Sequence, residues 1–292
     1  MIVTHTSPDF DAIGYVWLMQ RFGGGADQPV AFVNTGNPDP DVLASAWSVG
    51  DTGREFDPAN RRFDHHQLPG RASNDTCATT QTYEWLLSQD ATPELVAIRP
   101  IVELIFCGDT GSPLAGAEWS RNVGIHALLS AQKIRRRSDA ELMDYGCTLL
   151  DDLASVAISR QRGAAQLNMF TTYRSRDGLI VALDGAPQST TSAAFEAGAK
   201  LVFFASEDRG SYARGVQRGN SEDGQPHVGE LIDLVACNTP HLDLITELNQ
   251  WFLHPAGFFA GRGTAKAPCD TPMREGLTIA LIASAVDGVW QR

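Results

Sequence analysis

Short apolar runs alternate along this chain with longer amphipathic ones, and polar residues cluster where the runs end. The first run, MIVTH (1–5), reads as a buried strand, and DAIGYVWLMQRF (11–22) as a helix stopped by Gly23-Gly24-Gly25. PVAFVN (29–34) predicts a second strand and SAWSVGD (45–51) a third. TTQTYEWLLSQ (79–89) and PELVAIRPIVELIFCGD (93–109) predict helices, with an irregularity at Pro100. Strand–helix–strand alternation with short connections indicates a parallel α/β sheet. His5, Asn34 and Asp51 fall just after predicted strands, at the carboxyl edge where open α/β sheets take their ligands.

Residues 119–170 read as consecutive helices, and TTYRSRDG (171–178) as a joint. Beyond it come a strand (178–185), a helix (190–199), two strands (200–206 and 211–219) and a helix (228–236). A strand running into a loop (257–268) follows, then a closing helix or strand (274–286). The expected organisation is a parallel-sheet α/β domain over 1–150, a helical connector over 151–176 and a smaller α+β domain over 177–292.

Charge and cysteine content narrow the function. The 292 residues carry a net charge of −12. Residues 1–150 hold 11 Lys+Arg against 19 Asp+Glu, and 151–292 hold 12 against 16, so both halves are acidic. Such a surface repels long polyanions, which excludes long duplex nucleic acid as a partner while leaving room for a small phosphorylated one. Five cysteines (Cys77, Cys107, Cys147, Cys237, Cys269) without a CxxC spacing read as reduced thiols. With no membrane-length apolar stretch and no secretory pattern at the start, the expected setting is the cytoplasm.

Four segments carry the candidate chemistry. THTSPDFDAIG (4–14) holds His5, Asp9 and Asp11; Asp51 ends the third strand; Asp64-His65-His66 lies in the loop after it; Asp109 follows a hydrophobic helix. Taken singly, Asp9 or Asp11 could be a helix cap and Asp51 or Asp109 a turn residue. Together, two imidazoles (His5, His65) and four carboxylates (Asp9, Asp11, Asp51, Asp109) form an N/O set suited to Mn²⁺ or a similar ion, and unlike the thiolate sets of structural zinc. Four carboxylates converging alone would raise one another's pKa, so charge balance calls for two divalent cations.

In order and spacing these segments resemble the motifs of the DHH phosphoesterase superfamily. VGDTGREFDPANRRFDHHQ (49–67) and HPAGFFAGRGTAKA (254–267) are similar to its Myg-type exonuclease branch, although SPDFDAIG (7–14) follows the general pattern and not that branch's own. The resemblance implies a DHH-type catalytic domain, a substrate-binding second domain, and an active site in the cleft between them. It implies that His5 and Asp9 hold one metal, that Asp11, His65 and Asp109 hold the other, and that Asp51 bridges. Mn²⁺ leads as the metal, with Mg²⁺ and Co²⁺ as alternatives. His66 would face the substrate phosphate, and Asp64 would orient an imidazole. Arg214, Gly261, Arg262, Gly263 and Lys266 would bind substrate, through glycines that admit a phosphate and cations that grip it. The basic run KIRRR (133–137) reads as a solvated helix end and His254 as structural.

The leading expectation is therefore a metal-dependent phosphodiesterase or exonuclease acting on short oligonucleotides or linear or cyclic dinucleotides. A phosphoanhydride hydrolase and a non-catalytic nucleotide-binding protein are the alternatives, and homodimerisation is left open.

Overall fold

The computed structural model describes all residues except 36, 54, 69–73, 112–123, 207–211, 219–225, 270, 272, 274–275 and 291–292. The chain forms two compact units, Met1–Ile158 and Ser159–Arg292.

The first unit is built on a parallel sheet of order β2-β1-β3-β4, from β1 (Ile2–His5), β2 (Val30–Val33), β3 (Ser48–Gly50) and β4 (Arg62–Phe63). Successive residues point to opposite faces, which splits the core. Ile2 and Phe63 join a large cluster with α1 (Phe10–Arg21), α3 (Ala78–Gln89) and α5 (Arg99–Thr110). Val3 and Val49 join a smaller one with Val42 and Leu43 of α2 (Pro40–Ser45). Helix α1 is buried along most of its length. Gly14 lets it approach its neighbours, because a Cβ there would lie 2.5 Å from Thr79 Oγ1 and 2.7 Å from Ile105 Cδ1. A short α4 (Pro93–Ala97) precedes α5, and α6 (Ile125–Ile134) follows it. The boundary after Ile158 falls within the 32-residue α7 (Asp139–Phe170).

The second unit carries a mixed sheet of order β5-β6-β7-β8-β10-β9. Its strands are β5 (Thr171–Arg174), β6 (Ile180–Leu183), β7 (Leu201–Ala205), β8 (Ala213–Gln217), β9 (Phe252–Leu253) and β10 (Phe259–Arg262). β6 and β7 are parallel and the other pairings antiparallel. Every residue of these two strands is buried, and alternate positions serve opposite faces. Ile180, Ala182, Leu201 and Phe203 meet residues of α9 (Val228–Asn238), α10 (Leu242–Leu248) and α11 (Ile279–Trp290). Val181, Leu183, Val202 and Phe204 meet α8 (Ser189–Glu196) and Leu167 of α7.

Several expectations are corrected. Residues 171–174 are strand β5, not part of a helical connector. The third strand starts at Ser48, since Ser45 ends α2 behind a Pro at its start and an Asp39 cap. The two-residue strands β4 and β9 carry no periodicity to read, and the seven-residue α10 is also absent from the sequence-based expectation. Pro100 does mark an irregularity, the joint at Ile98 between α4 and α5.

The largest correction concerns Arg262. Expected in a phosphate-holding loop, it is instead 1% exposed on β10. Its Nη1 donates to Glu247 Oε1 at 2.5 Å and its Nη2 to the Thr271 carbonyl at 2.8 Å, so the guanidinium is consumed inside the unit. Glu247 is equally buried, and an isolated charge there would be costly. Glu247→Ala should therefore destabilise the protein by roughly 3–5 kcal/mol. Urea unfolding measures this, and a loss under about 1 kcal/mol would place the pair in solvent.

Candidate metal centre

Strand order explains the site. β1, β3 and β4 are adjacent and parallel, so their carboxyl ends share one edge. His5 is the last residue of β1, Asp51 follows β3, and Asp64-His65-His66 follows β4. Asp9 caps α1, accepting from the N–H groups of Asp11 and Ala12 at 3.0 Å each. Asp11 lies in the first turn of the same helix and accepts from Ala78 N–H and Thr79 N–H, both at 2.8 Å, at the start of α3. Asp109 is in the last turn of α5, at the end of the helix expected over 93–109.

Three overlapping groups follow, each with its ligand atoms within 4.8 Å of one another: His5 with Asp9 and Asp51, Asp11 with His65 and Asp109, and Asp51 with His65 and His66. His5 Nε2 is 3.2 Å from Asp51 Oδ2 and 3.7 Å from Asp9 Oδ1, while His65 Nε2 is 3.7 Å from Asp109 Oδ2. All six expected ligands are thus brought together, and Asp51 shares in two groups. The third group also places His66 within ligand range, its Nδ1 3.7 Å from Asp51 Oδ1. What sets His66 apart is Asp64, whose Oδ1 lies 2.9 Å from His66 Nδ1 and accepts from the His66 N–H. The other oxygen of Asp64 accepts from the N–H groups of Thr52 and Gly53, locking the loops after β3 and β4 together. The His66 ring is half exposed; Asp64 is buried.

Electrostatics describe a site short of positive charge. Burial lifts Asp51 to about 6, with Asp11 and Asp9 adding to the rise against the opposing His5 bond. Burial and then Asp11 lift Asp109 to about 7, and burial raises Asp11 also. Burial pulls His5 down, but its bonds to Asp51 and Asp9 prevail and push it to about 10. Asp64 holds His66 up at about 9; Asp64 itself, pushed up by burial, is brought down to about 2 by its bonds from His66 and Gly53. Buried carboxylates that retain protons, beside an imidazole that gains one, are what a mixed N/O cation site becomes when protons stand in for cations. The residues present fit two divalent ions in charge and donor type.

Backbone geometry points the same way. Ser7 (φ 54°) and Asp51 (φ 53°) occupy the left-handed region without being glycine, one between His5 and Asp9 and the other itself a candidate ligand. The Ser7 turn is tied from a distance: its N–H donates to Asp139 Oδ1 at 2.9 Å and its carbonyl accepts from Lys133 Nζ at 3.0 Å. Sequence reasoning missed Lys133, Asp139 and His126. In the sequence Lys133 belongs to the basic run at the end of α6, and nothing local ties it to a turn 126 residues away.

The expected substrate residues lie on the paired strands β8 and β10 of the second unit and just beyond β10. Arg214 on β8 lies opposite Gly261 on β10, its Cζ 5.2 Å from the Phe204 ring centroid. Gly263 follows β10 at φ 65°. Lys266 is exposed and lines a cavity of about 570 Å³ with Phe252, His254 and Phe259. The His254 ring packs 4.4 Å from Phe258 and its Nδ1 accepts from Ala256 N–H at 3.1 Å, in keeping with a structural role.

No known family profile matches the chain, and no curated protein does. Among solved structures it is similar to a protein of Helicobacter pylori G27 described as uncharacterized, at 11% identity over 100% of this chain and 99% of that one, with a TM-score of 0.29. It is similar to RecJ of Thermus thermophilus, solved in complex with Mg²⁺, at 12% identity, 100% and 49% coverage and a TM-score of 0.32. An exopolyphosphatase-related protein of Bacteroides fragilis overlaps at 12% identity, 100% and 93% coverage and a TM-score of 0.26. Likeness at these scores leaves the chemistry to be argued from the site itself.

Cations and protons compete for the same atoms, so metal binding should release protons and tighten as pH rises. The groups concerned are Asp51 and Asp109, half-protonated at about 6 and about 7, and His5, protonated up to about 10. Titration calorimetry with Mn²⁺ near pH 6.5 should give a heat that varies with the ionisation enthalpy of the buffer. A heat independent of buffer would mean that these groups are not the ligands.

Proposed function

We propose that this protein is a divalent-metal-dependent phosphoesterase that hydrolyses phosphodiester bonds of short oligonucleotides or of linear or cyclic dinucleotides. The observation that carries this reading is the convergence of three N/O groups, sharing Asp51 and His65, on the carboxyl edge of a parallel sheet. The motif order that resembles DHH phosphoesterases supports it from the sequence.

In this reading His5, Asp9 and Asp51 would hold one cation and Asp11, His65 and Asp109 the other, Asp51 being shared by two of the three groups, with Mn²⁺ as the leading metal. Two bound cations would supply Lewis-acid polarisation of a phosphoryl oxygen and lower the pKa of a water nearby. The protein's own contribution is position and charge. Asp64, fixed by the N–H groups of Thr52 and Gly53, holds the Nδ1 side of His66. That leaves His66 Nε2 to donate to a phosphoryl oxygen as negative charge develops there. Arg214 and Lys266, with Gly261 and Gly263, are the substrate-side groups proposed in the second unit; Arg262 is withdrawn from that role by its burial. A net charge of −12 favours short substrates over long strands.

Two variants and a metal count test the reading. Wild-type protein should bind two Mn²⁺ per chain and hydrolyse a dinucleotide. His65→Ala should lose one ion and nearly all activity. His66→Ala should keep both ions while kcat falls roughly 10²–10³-fold. Equal metal loss in the two variants would make His66 a ligand, and full activity with one tightly bound ion would rule out the two-cation mechanism.

A further inference from the structure

The candidate metal centre opens into a cavity of about 290 Å³ whose remaining wall the proposed chemistry leaves unassigned. It is lined by the candidate ligand carboxylates Asp9, Asp11 and Asp109 and by Phe10, His126, Ser130 and Lys133. These residues are held by specific contacts. The His126 ring meets Phe10 edge-on, with centroids 4.8 Å apart and planes at 82°. Position 108, next to Asp109, accommodates it only as glycine, since a Cβ there would lie 1.9 Å from His126 Nε2. Lys133 is held by its bond to the Ser7 carbonyl, which takes one of its three ammonium donors, and its charge also acts on Asp9. Among the described lining residues it is the only lysine or arginine.

We propose that this cavity is a substrate subsite for a second anionic group, a phosphate one linkage away from the scissile one, with Lys133 as its counter-charge. The inference rests on the phosphoesterase reading and names the substrate class within it: substrates that carry a terminal phosphate beside the bond that is cut. The physical argument is one of charge. Two cations balance the four ligand carboxylates and leave little for a further phosphate, and the rest of the chain is acidic. A second phosphate at this spot needs a local cation, and Lys133 is tethered in place next to the ligands. Ser130 adds a hydroxyl donor, and the Phe10–His126 pair gives the linking sugar or base an aromatic wall.

The test compares Mn²⁺-loaded wild type, Lys133→Ala and Lys133→Arg on a dinucleotide with and without a terminal phosphate, and on tripolyphosphate. Wild type should favour the phosphorylated dinucleotide through a lower KM. Lys133→Ala should lose roughly five- to tenfold more kcat/KM on the phosphorylated substrate than on the unphosphorylated one. Lys133→Arg, which keeps the charge and a donor for Ser7, should retain the preference. An equally Lys133-dependent response to tripolyphosphate would show that the subsite reads phosphate irrespective of the nucleoside; no response would tie it to nucleotides. Equal losses of Lys133→Ala on both dinucleotides would confine Lys133 to holding the Ser7 turn and overturn the subsite. Equilibrium binding of the two dinucleotides separates the two hypotheses: Lys133-dependent preference without any hydrolysis would sink the phosphoesterase reading and keep the anion site.

Discussion

Four aspartates at one sheet edge, with too little positive charge among them, set the terms for the first unit. Repulsion among carboxylates in a partly buried site costs more than any single hydrogen bond returns, so the arrangement exists only where something else holds it. The scaffold meets that cost with peptide groups. Asp9 is tied to the start of α1, Asp11 to the start of α3, and Asp64 to the loop after β3. Helix starts present unsatisfied N–H groups and a partial positive charge, which steadies negative side chains without neutralising them. Carboxylates fixed in this way stay aimed at a common point and stay reactive toward cations.

The same constraint reaches the backbone. Ser7 and Asp51 both accept a left-handed conformation at the positions where the chain must turn ligands inward. Ser7 is secured by side chains of α6 and α7, so the geometry around His5 and Asp9 depends on helices more than 120 residues further along. Strand β1 supplies His5, the segments just after β3 and β4 supply Asp51 and His65, and a clamped turn leads to Asp9. Precision of this kind is what two cations a few ångströms apart would need.

The second unit shows how differently a charge behaves once its partner is built in. Arg262 and Glu247 are both buried and pair with each other, so their charges are spent on the unit's own packing. Lys266 and Arg214 keep their charges available, one exposed beside an aromatic cavity and the other half-buried over Phe204. Three cations that look alike in a glycine-rich sequence thus divide by burial alone.

The sequence by itself determined the parallel sheet, most of the helices and the six candidate ligands. Each of those features is local: a buried strand, an amphipathic helix or a polar residue at an element's end leaves its mark within a few neighbouring positions. His5, Asp51 and Asp64-His65-His66 were legible because carboxyl ends of parallel strands share an edge whatever the loops do. Short elements such as β4 and α10, and the strand at 171–174, left too few residues for a pattern to show. Only the tertiary structure decided that Arg262 is spent on Glu247, that His66 leans on Asp64, and that Lys133 and His126 stand beside the candidate metal centre. Those outcomes hang on which distant side chain occupies the neighbouring space, and burial and pairing across such separations leave no periodic trace in the chain.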